Sequence, residues 1–369
     1  MIDCLEIALL LLCVIYSTGL VIFYIGLHKF RNGANQHLYP VSIIIPAKNE
    51  AENIEDCLDS LLEQDYPADK VEIIVVDDHS EDASSQIVEN YAKFDARIKL
   101  IRLTGDTSGV SSKKQAIECG IYQSCHDIIF TTDADCVALQ SWLRGMMAYF
   151  EPHIGMVAGA VLFNDDKSFF SRLQSLEFIG LISAGAGSIR MGRPLIANGA
   201  NLAYRKSVFV QVHGFEGHRH LVSGDDDLLM QQVAKETTWK VAFATDPTTF
   251  ITTSPAKNMF AFLNQRSRWA SKGIHYPDIS LIIFLLSTYL FYGMLLIMLP
   301  VSFLGSHPLT IPVSCFCMKL LLDFLVIIKG CKLFRKMHLL KYFPLAEILQ
   351  IPYIVYVGLA GFWGKFKWK

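Results

Sequence analysis

Residues 7–27, IALLLLCVIYSTGLVIFYIGL, carry no charge and are long enough to cross a bilayer as a helix. Hydrocarbon offers backbone N–H and C=O groups no partners but each other, so a helix is the fold open to an isolated run of this kind. A cleaved signal peptide fits poorly, because acidic Asp3 and Glu6 precede the run and no small-residue cleavage site follows it. His28, Lys29 and Arg31 come directly after it. Positive charge on that side sets the N-terminus outside and the chain beyond Leu27 in the cytoplasm.

A second apolar zone begins at Ile279. ISLIIFLLSTYLFYGMLLIMLPVSFLG spans once, SHP turns, and LTIPVSCFCMKLLLDFLVII returns to the basic stretch KGCKLFRKMHLLK, again cytoplasmic. The last segment, from Tyr342, carries Pro344, Glu347, Gln350 and Pro352 and ends in three lysines. Spanning would put that basic end outside, against the rule, whereas a re-entrant or interfacial helix would keep it inside. Both stay open. Lys319 and Asp323, four apart in the third run, are read as satisfying each other; the rival is an ion path through a transporter or scaffold. Hydrophobic residues make up 52% and charged residues 18%, and these runs hold the apolar excess. The net charge of −2 gives no basic field for nucleic acid. The nine cysteines lack any CxxC and read as reduced thiols, not a secreted disulfide framework.

Between the two zones, from about 40 to 250, short apolar runs alternate with amphipathic ones. VSIIIPA, VEIIVVDD, IKLIRLT and DIIFTTDAD read as strands. EAENIEDCLDSLLEQ, with Ile54, Leu58, Leu61 and Leu62 at helical spacing, SEDASSQIVENYAKF, with Ser80 as N-cap, and SKKQAIECGIYQS read as helices. The alternation implies βαβ units, a parallel sheet, and ligands outside the carboxyl ends of its strands. Three of those ends are polar: PAKNE, DDHS and DAD. Singly, each is an ordinary cap or turn; together they suggest one pocket. No glycine lies between Val41 and Glu72, and no G-x-x-x-x-G-K-[ST] occurs, so neither a dinucleotide loop nor a P-loop is present. A divalent cation held by Asp133 and Asp135 would neutralise a bound diphosphate instead.

Farther on, Asp225, Asp226 and Asp227 precede a helix, where they favour its dipole or supply a general base. In FLNQRSRWASKG, Gln265, Arg268 and Trp269 share a helical face, and Arg266 and Lys272 add charge. This segment is either a juxtamembrane basic helix or part of the pocket mouth. Residues 169–194 either lie along the membrane or cover the sheet as a core helix, the default. A glycoside hydrolase also uses two carboxylates, but needs neither nucleotide-shaped strand ends nor a membrane.

PAKNEAENIEDCLDSLLEQDYP, EIIVVDDHSED, DAD, GDD and QRSRW occur in that order from about Pro40 to Gly273. This ordered set closely resembles the membrane-bound family 2 glycosyltransferases, which include cellulose, hyaluronan and chitin synthases and ceramide glucosyltransferases. The resemblance implies an α/β fold of the GT-A, Rossmann-like type over 38–276, flanked by an N-terminal transmembrane helix in 1–30 and two or three transmembrane or re-entrant helices in 277–369. It implies transfer of a sugar, with inversion, from a nucleotide-sugar donor, UDP-sugar favoured, to a lipid or glycan acceptor. Pro46, Ala47, Asn49, Glu50, Asp77, Asp78, Lys113 or Lys114, and Asp133 would bind the donor. Asp133 and Asp135 would hold Mg²⁺ or Mn²⁺, and Asp226 would be the base, with Asp225 its competitor because GDD stands where Glu-Asp is commoner. Gln265, Arg268 and Trp269 match Q-x-x-R-W, near the leaving diphosphate and the acceptor, and residues 198–205 resemble a segment that places the sugar. Lys48 replaces an arginine often seen after PA. The expected setting is an integral membrane protein, its catalytic domain cytoplasmic, in the bacterial inner membrane.

Overall fold

The runs VSIIIPA and VEIIVVD are buried at every residue, as strands covered on both faces must be. The computed structural model describes residues 4–104, 111–164, 168–305 and 308–364. Its elements begin with α1 (Cys4–Gly26), β1 (Val41–Ala47), α2 (Ile54–Leu62), β2 (Val71–Asp77), α3 (Ser84–Phe94), β3 (Ile98–Arg102), α4 (Ser112–Gln123), β4 (Ile128–Thr131), β5 (Cys136–Ala138) and α5 (Trp142–Met147). There follow β6 (Ile154–Gly159), β7 (Val161–Phe163), α6 (Phe169–Arg190), β8 (Leu202–Arg205), α7 (Lys206–Gln211), α8 (Asp227–Glu236), β9 (Lys240–Ala244) and β10 (Ile251–Thr253). The last four helices are α9 (Met259–Ala270), α10 (Ile279–Phe303), α11 (Thr310–Leu333) and α12 (Phe343–Trp363).

The described residues form two compact units: 30–104 with 111–164 and 192–255, and 4–29 with 168–191 and 256–364. The first is α/β. Its main sheet has the order β3-β2-β1-β4-β8-β6-β9. The four strands legible as a βαβ series are parallel to one another. Beyond β4 the sheet becomes mixed, because β8 runs antiparallel to both β4 and β6, and β9 parallel to β6. A purely parallel sheet was expected. β6 (IGMVAG) and β8 (LAYR) lack the β-branched runs that announce a strand. The strand order switches direction between β1 and β4, and the crevice at the carboxyl ends there is where such sheets bind ligands. A second sheet, β5-β10-β7, continues directly from the DAD turn. α3 begins at Ser84, so Ser80 is not its N-cap.

The second unit is helical. Among the described residues, four segments are long and apolar enough to cross a membrane: Cys4–Gly26, Ile279–Phe303, Thr310–Leu333 and Met337–Trp363. α6 joins them instead of covering the sheet. A Cβ on Gly26 would lie 2.2 Å from the carbonyl oxygen of Gly187, so α1 and α6 meet backbone to backbone. α12 runs unbroken through Pro352. Lys319 donates to Asp323 at 2.8 Å, to Gln350 at 2.9 Å and to Glu347, and Tyr16 of α1 donates to Asp323 at 2.7 Å. Glu347 and Gln350, which set the last segment apart in sequence, therefore complete the shell of a buried lysine. Part of the turn read at SHP, and the three final lysines, lie outside the described residues.

Candidate active site

β1 and β2 end in register, Ala47 beside Asp77. Asn49 turns the following loop with a left-handed backbone, φ 54°, which a short polar residue tolerates. Its N–H donates to Ser80 Oγ at 3.0 Å, its side chain accepts from the Glu81 N–H at 2.8 Å, and the Glu50 N–H donates to Ser84 Oγ at 2.7 Å. The loops after β1 and β2 thereby become one rim. Pro46, Ala47 and Glu50 are buried in it, while Asn49 is exposed. Asp78 is fully buried, 3.4 Å from Lys48 Nζ and 3.0 Å from His79 Nδ1. Asp77 Oδ1 is buried with no hydrogen-bond partner among the described residues. A buried acceptor in that state requires a partner from outside.

The two acidic motifs converge on one ammonium. Lys113 Nζ, on the first turn of α4, lies 2.8 Å from Asp133 Oδ1 and 3.2 Å from Asp225 Oδ2. Burial opposes the charged form of Lys113, but Asp133, Asp225 and Asp226 outweigh it and hold its pKa above the ordinary lysine range. Lys114, its neighbour in sequence, does something else. It is buried and donates to the carbonyls of His218, Leu221 and Ser223 at 2.7, 3.0 and 2.9 Å. It thus shapes the loop that delivers Gly224 and the aspartates. Of the two lysines, Lys113 faces the acidic groups and Lys114 secures the backbone behind them.

Asp226 caps α8 by accepting the Asp227 N–H at 2.7 Å, and its Oδ2 accepts the Gly199 N–H at 3.3 Å. A Cβ at Gly199 would stand 2.9 Å from Asp225 Oδ2, so a larger residue here would push that carboxylate aside. Thr131 Oγ1 fixes the same glycine by donating to its carbonyl at 2.6 Å.

Asp133 and Asp135 are half-buried on either side of buried Ala134. Burial first, then the charges of both aspartates, push the Cys57 and Cys136 thiols well above their usual pKa; the two aspartates themselves offer hard oxygen donors. Among the described residues no three His, Cys, Asp or Glu side chains group to hold a metal. Two carboxylates fit a Mg²⁺ or Mn²⁺ ion whose remaining ligands come from a diphosphate.

Gln265, Arg268 and Trp269 lie half-buried on α9, in the helical unit. The arginine that α9 buries is Arg266, 3% exposed.

The model of glycosyl transferase family group 2 matches residues 128–363, and that of glycosyl transferase family 2 matches 42–213. The chain belongs to the family 2 glycosyltransferases. Among curated relatives, this family 2 glycosyltransferase is 30% identical over 187 residues to glycosyltransferase AglE of Haloferax volcanii, covering 50% of the chain and 58% of the relative. It is 26% identical over 246 residues to beta-monoglucosyldiacylglycerol synthase of Synechocystis sp., covering 64% and 48%. The chain thus spans about half the length of the curated relatives it matches. A mannosyltransferase of Pyrobaculum calidifontis, solved in complex with GDP-Man and Mn²⁺, superposes with a TM-score of 0.64 at 17% identity, covering 98% of this chain and 100% of that one. That likeness is one of fold, and it bears out the GT-A expectation.

Two residues of this family 2 glycosyltransferase have contacts that the sequence reading did not assign: it gave Gly199 only as part of the 198–205 segment and Arg266 only as added charge. Gly199 had a signal, since a glycine entering a strand marks a close backbone approach. Arg266 had none, because burial of one arginine among three basic residues is decided by tertiary packing.

Proposed function

We propose that the chain transfers a sugar from a nucleotide-sugar donor, with a UDP-sugar the first candidate, to a hydroxyl of a lipid or glycan. The observation that carries this is the convergence of Asp133 and Asp225 on Lys113, with Asp226 held beside them by the Gly199 N–H. Asp226 takes the proton of the acceptor hydroxyl, its lone pairs oriented by two backbone N–H donors. Asp77 accepts from the nucleotide at its unpartnered Oδ1, within the rim of Pro46, Ala47, Asn49, Glu50 and Asp78. Lys113 anchors Asp133 and Asp225 at the donor site. Bound between Asp133, Asp135 and the diphosphate, Mg²⁺ or Mn²⁺ would stabilise the charge of the leaving group. By the family resemblance Gln265, Arg268 and Trp269 would act near the leaving diphosphate and the acceptor, Arg268 supplying a planar cation for that charge. Held together, donor and acceptor react by one displacement at the anomeric carbon.

The four apolar helices support an integral membrane protein. The basic residues after α1 and after α11 support a cytoplasmic catalytic domain and an outside N-terminus. A lipid acceptor draws support from the likeness to a relative named for a glucosyldiacylglycerol. The deciding experiment is binding and hydrolysis of UDP- and GDP-sugars by detergent-purified protein with Mn²⁺, Mg²⁺ or EDTA. Metal-dependent turnover of one donor, lost in Asp135→Asn, is expected. Folded protein that ignores every donor would overturn the assignment.

A further inference from the structure

The reading above uses Gln265, Arg268 and Trp269 and gives Arg266 nothing to do. Yet Arg266 is the most connected side chain of the motif. Its Nε donates to Glu177 of α6 at 3.1 and 3.2 Å, and its Nη2 donates to the same carboxylate at 2.6 Å. Tyr353 of α12 donates to Glu177 Oε1 at 3.1 Å. The guanidinium carbon lies 4.3 Å from the Trp269 ring centroid and 4.8 Å from that of Phe262. Its Nη1 donates to Gln265 Oε1 at 2.6 Å.

A guanidinium has donors only. Gln265 must therefore turn its carbonyl oxygen toward Arg266, and its Nε2 amide is the end left to meet a ligand. We propose that Arg266 is a positioning residue: it sets the hydrogen-bonding polarity of Gln265 and the plane of Trp269, so that the motif meets substrate oxygens with N–H donors. This inference rests on the glycosyltransferase reading and deepens it. Fixed donors act on developing negative charge without reorganising. Lysine keeps the charge of Arg266 but neither its fork nor its flat face.

The test is a double-mutant cycle of Arg266→Lys and Gln265→Met, together with Gln265→Glu, read as kcat, donor KM and Tm in detergent. Arg266→Lys is expected to lower kcat about tenfold or more through misplacement, with donor KM nearly unchanged. The double variant should lose less than the two single losses combined, the mark of one residue acting partly through the other. Gln265→Glu should hold or raise Tm, since it still accepts from Arg266, and yet lose activity because it offers oxygen where N–H is needed. Additive losses in the cycle, kcat falling only in step with Tm, or wild-type rates in Gln265→Glu would each overturn the proposal while the wild type still turns over its donor. A wild type that turns over no donor would overturn the glycosyltransferase reading and this inference with it.

Discussion

Two adjacent aspartates compete for one role, and their partners separate them. Asp225 Oδ2 sits 3.2 Å from the Lys113 ammonium, and the side chain is 9% exposed. Asp226 is oriented by two backbone N–H groups, of Asp227 and Gly199. Asparagine caps a helix about as well as aspartate but keeps a single oxygen, so Asp226→Asn gives up the 3.3 Å bond from the Gly199 N–H and should lower Tm only slightly, while kcat falls by about 10²–10⁴, the range of a lost general base. Asp225→Asn removes one of the three carboxylates that keep the buried Lys113 charged and should lower Tm more. Circular-dichroism melts beside transfer assays separate the two. An active Asp226→Asn with a stable, inactive Asp225→Asn would exchange their roles. The sequence made the acidic residues legible because carboxylates rarely crowd without reason. It concealed which lysine meets them, since Lys113 and Lys114 differ only in the direction that α4 gives their side chains.

Among the elements, β2 shows how a charge is kept inside a buried sheet. Glu72 is 5% exposed in a strand otherwise of apolar residues and a terminal aspartate. Ser42 of β1 donates to it at 2.6 Å, the Cys125 N–H at 2.9 Å, and Lys99 of β3 pairs with it. Burial would raise its pKa, but Lys99, Ser42 and Cys125 together lower it from 4.5 to about 2. A carboxylate with a depressed folded pKa stabilises the fold above its unfolded pKa and loses that contribution as pH falls through the folded one. Glu72→Gln should therefore be less stable than wild type at neutral pH, with the gap closing between pH 4.5 and about 2. Denaturant melts across that window test it, and parallel profiles would refute the linkage. The strands up to β4 were legible because their runs are apolar and β-branched. β5, β7 and β10 have three residues each, too few for any periodicity, and their pairing depends on contacts distant in sequence.

At the scale of the whole molecule, apolar length in the sequence was enough to find the long apolar helices, but not to find their company. α6 and α9 are too polar to read as parts of a helical bundle, and they join it through Gly187 against Gly26 and through Arg266 against Glu177. The polar residues that made the last segment ambiguous follow the same logic. Lys319, fully buried, faces two carboxylates, Asp323 and Glu347. Removing the one cation leaves both acids without it, and breaking a buried pair in this way costs about 3–5 kcal/mol. Lys319→Met should therefore unfold markedly earlier in detergent. Asp323→Asn should be tolerated, because it leaves one ammonium facing one carboxylate, its oxygen still accepts from Lys319, and its NH2 can donate to the Tyr16 hydroxyl, which accepts as well as donates. The asymmetry is the test. If the cluster served an ion path, both variants would spare the fold. If it ties α1, α11 and α12 together, only the loss of the lysine is severe, because Lys319 contacts Asp323, Glu347 and Gln350 at once.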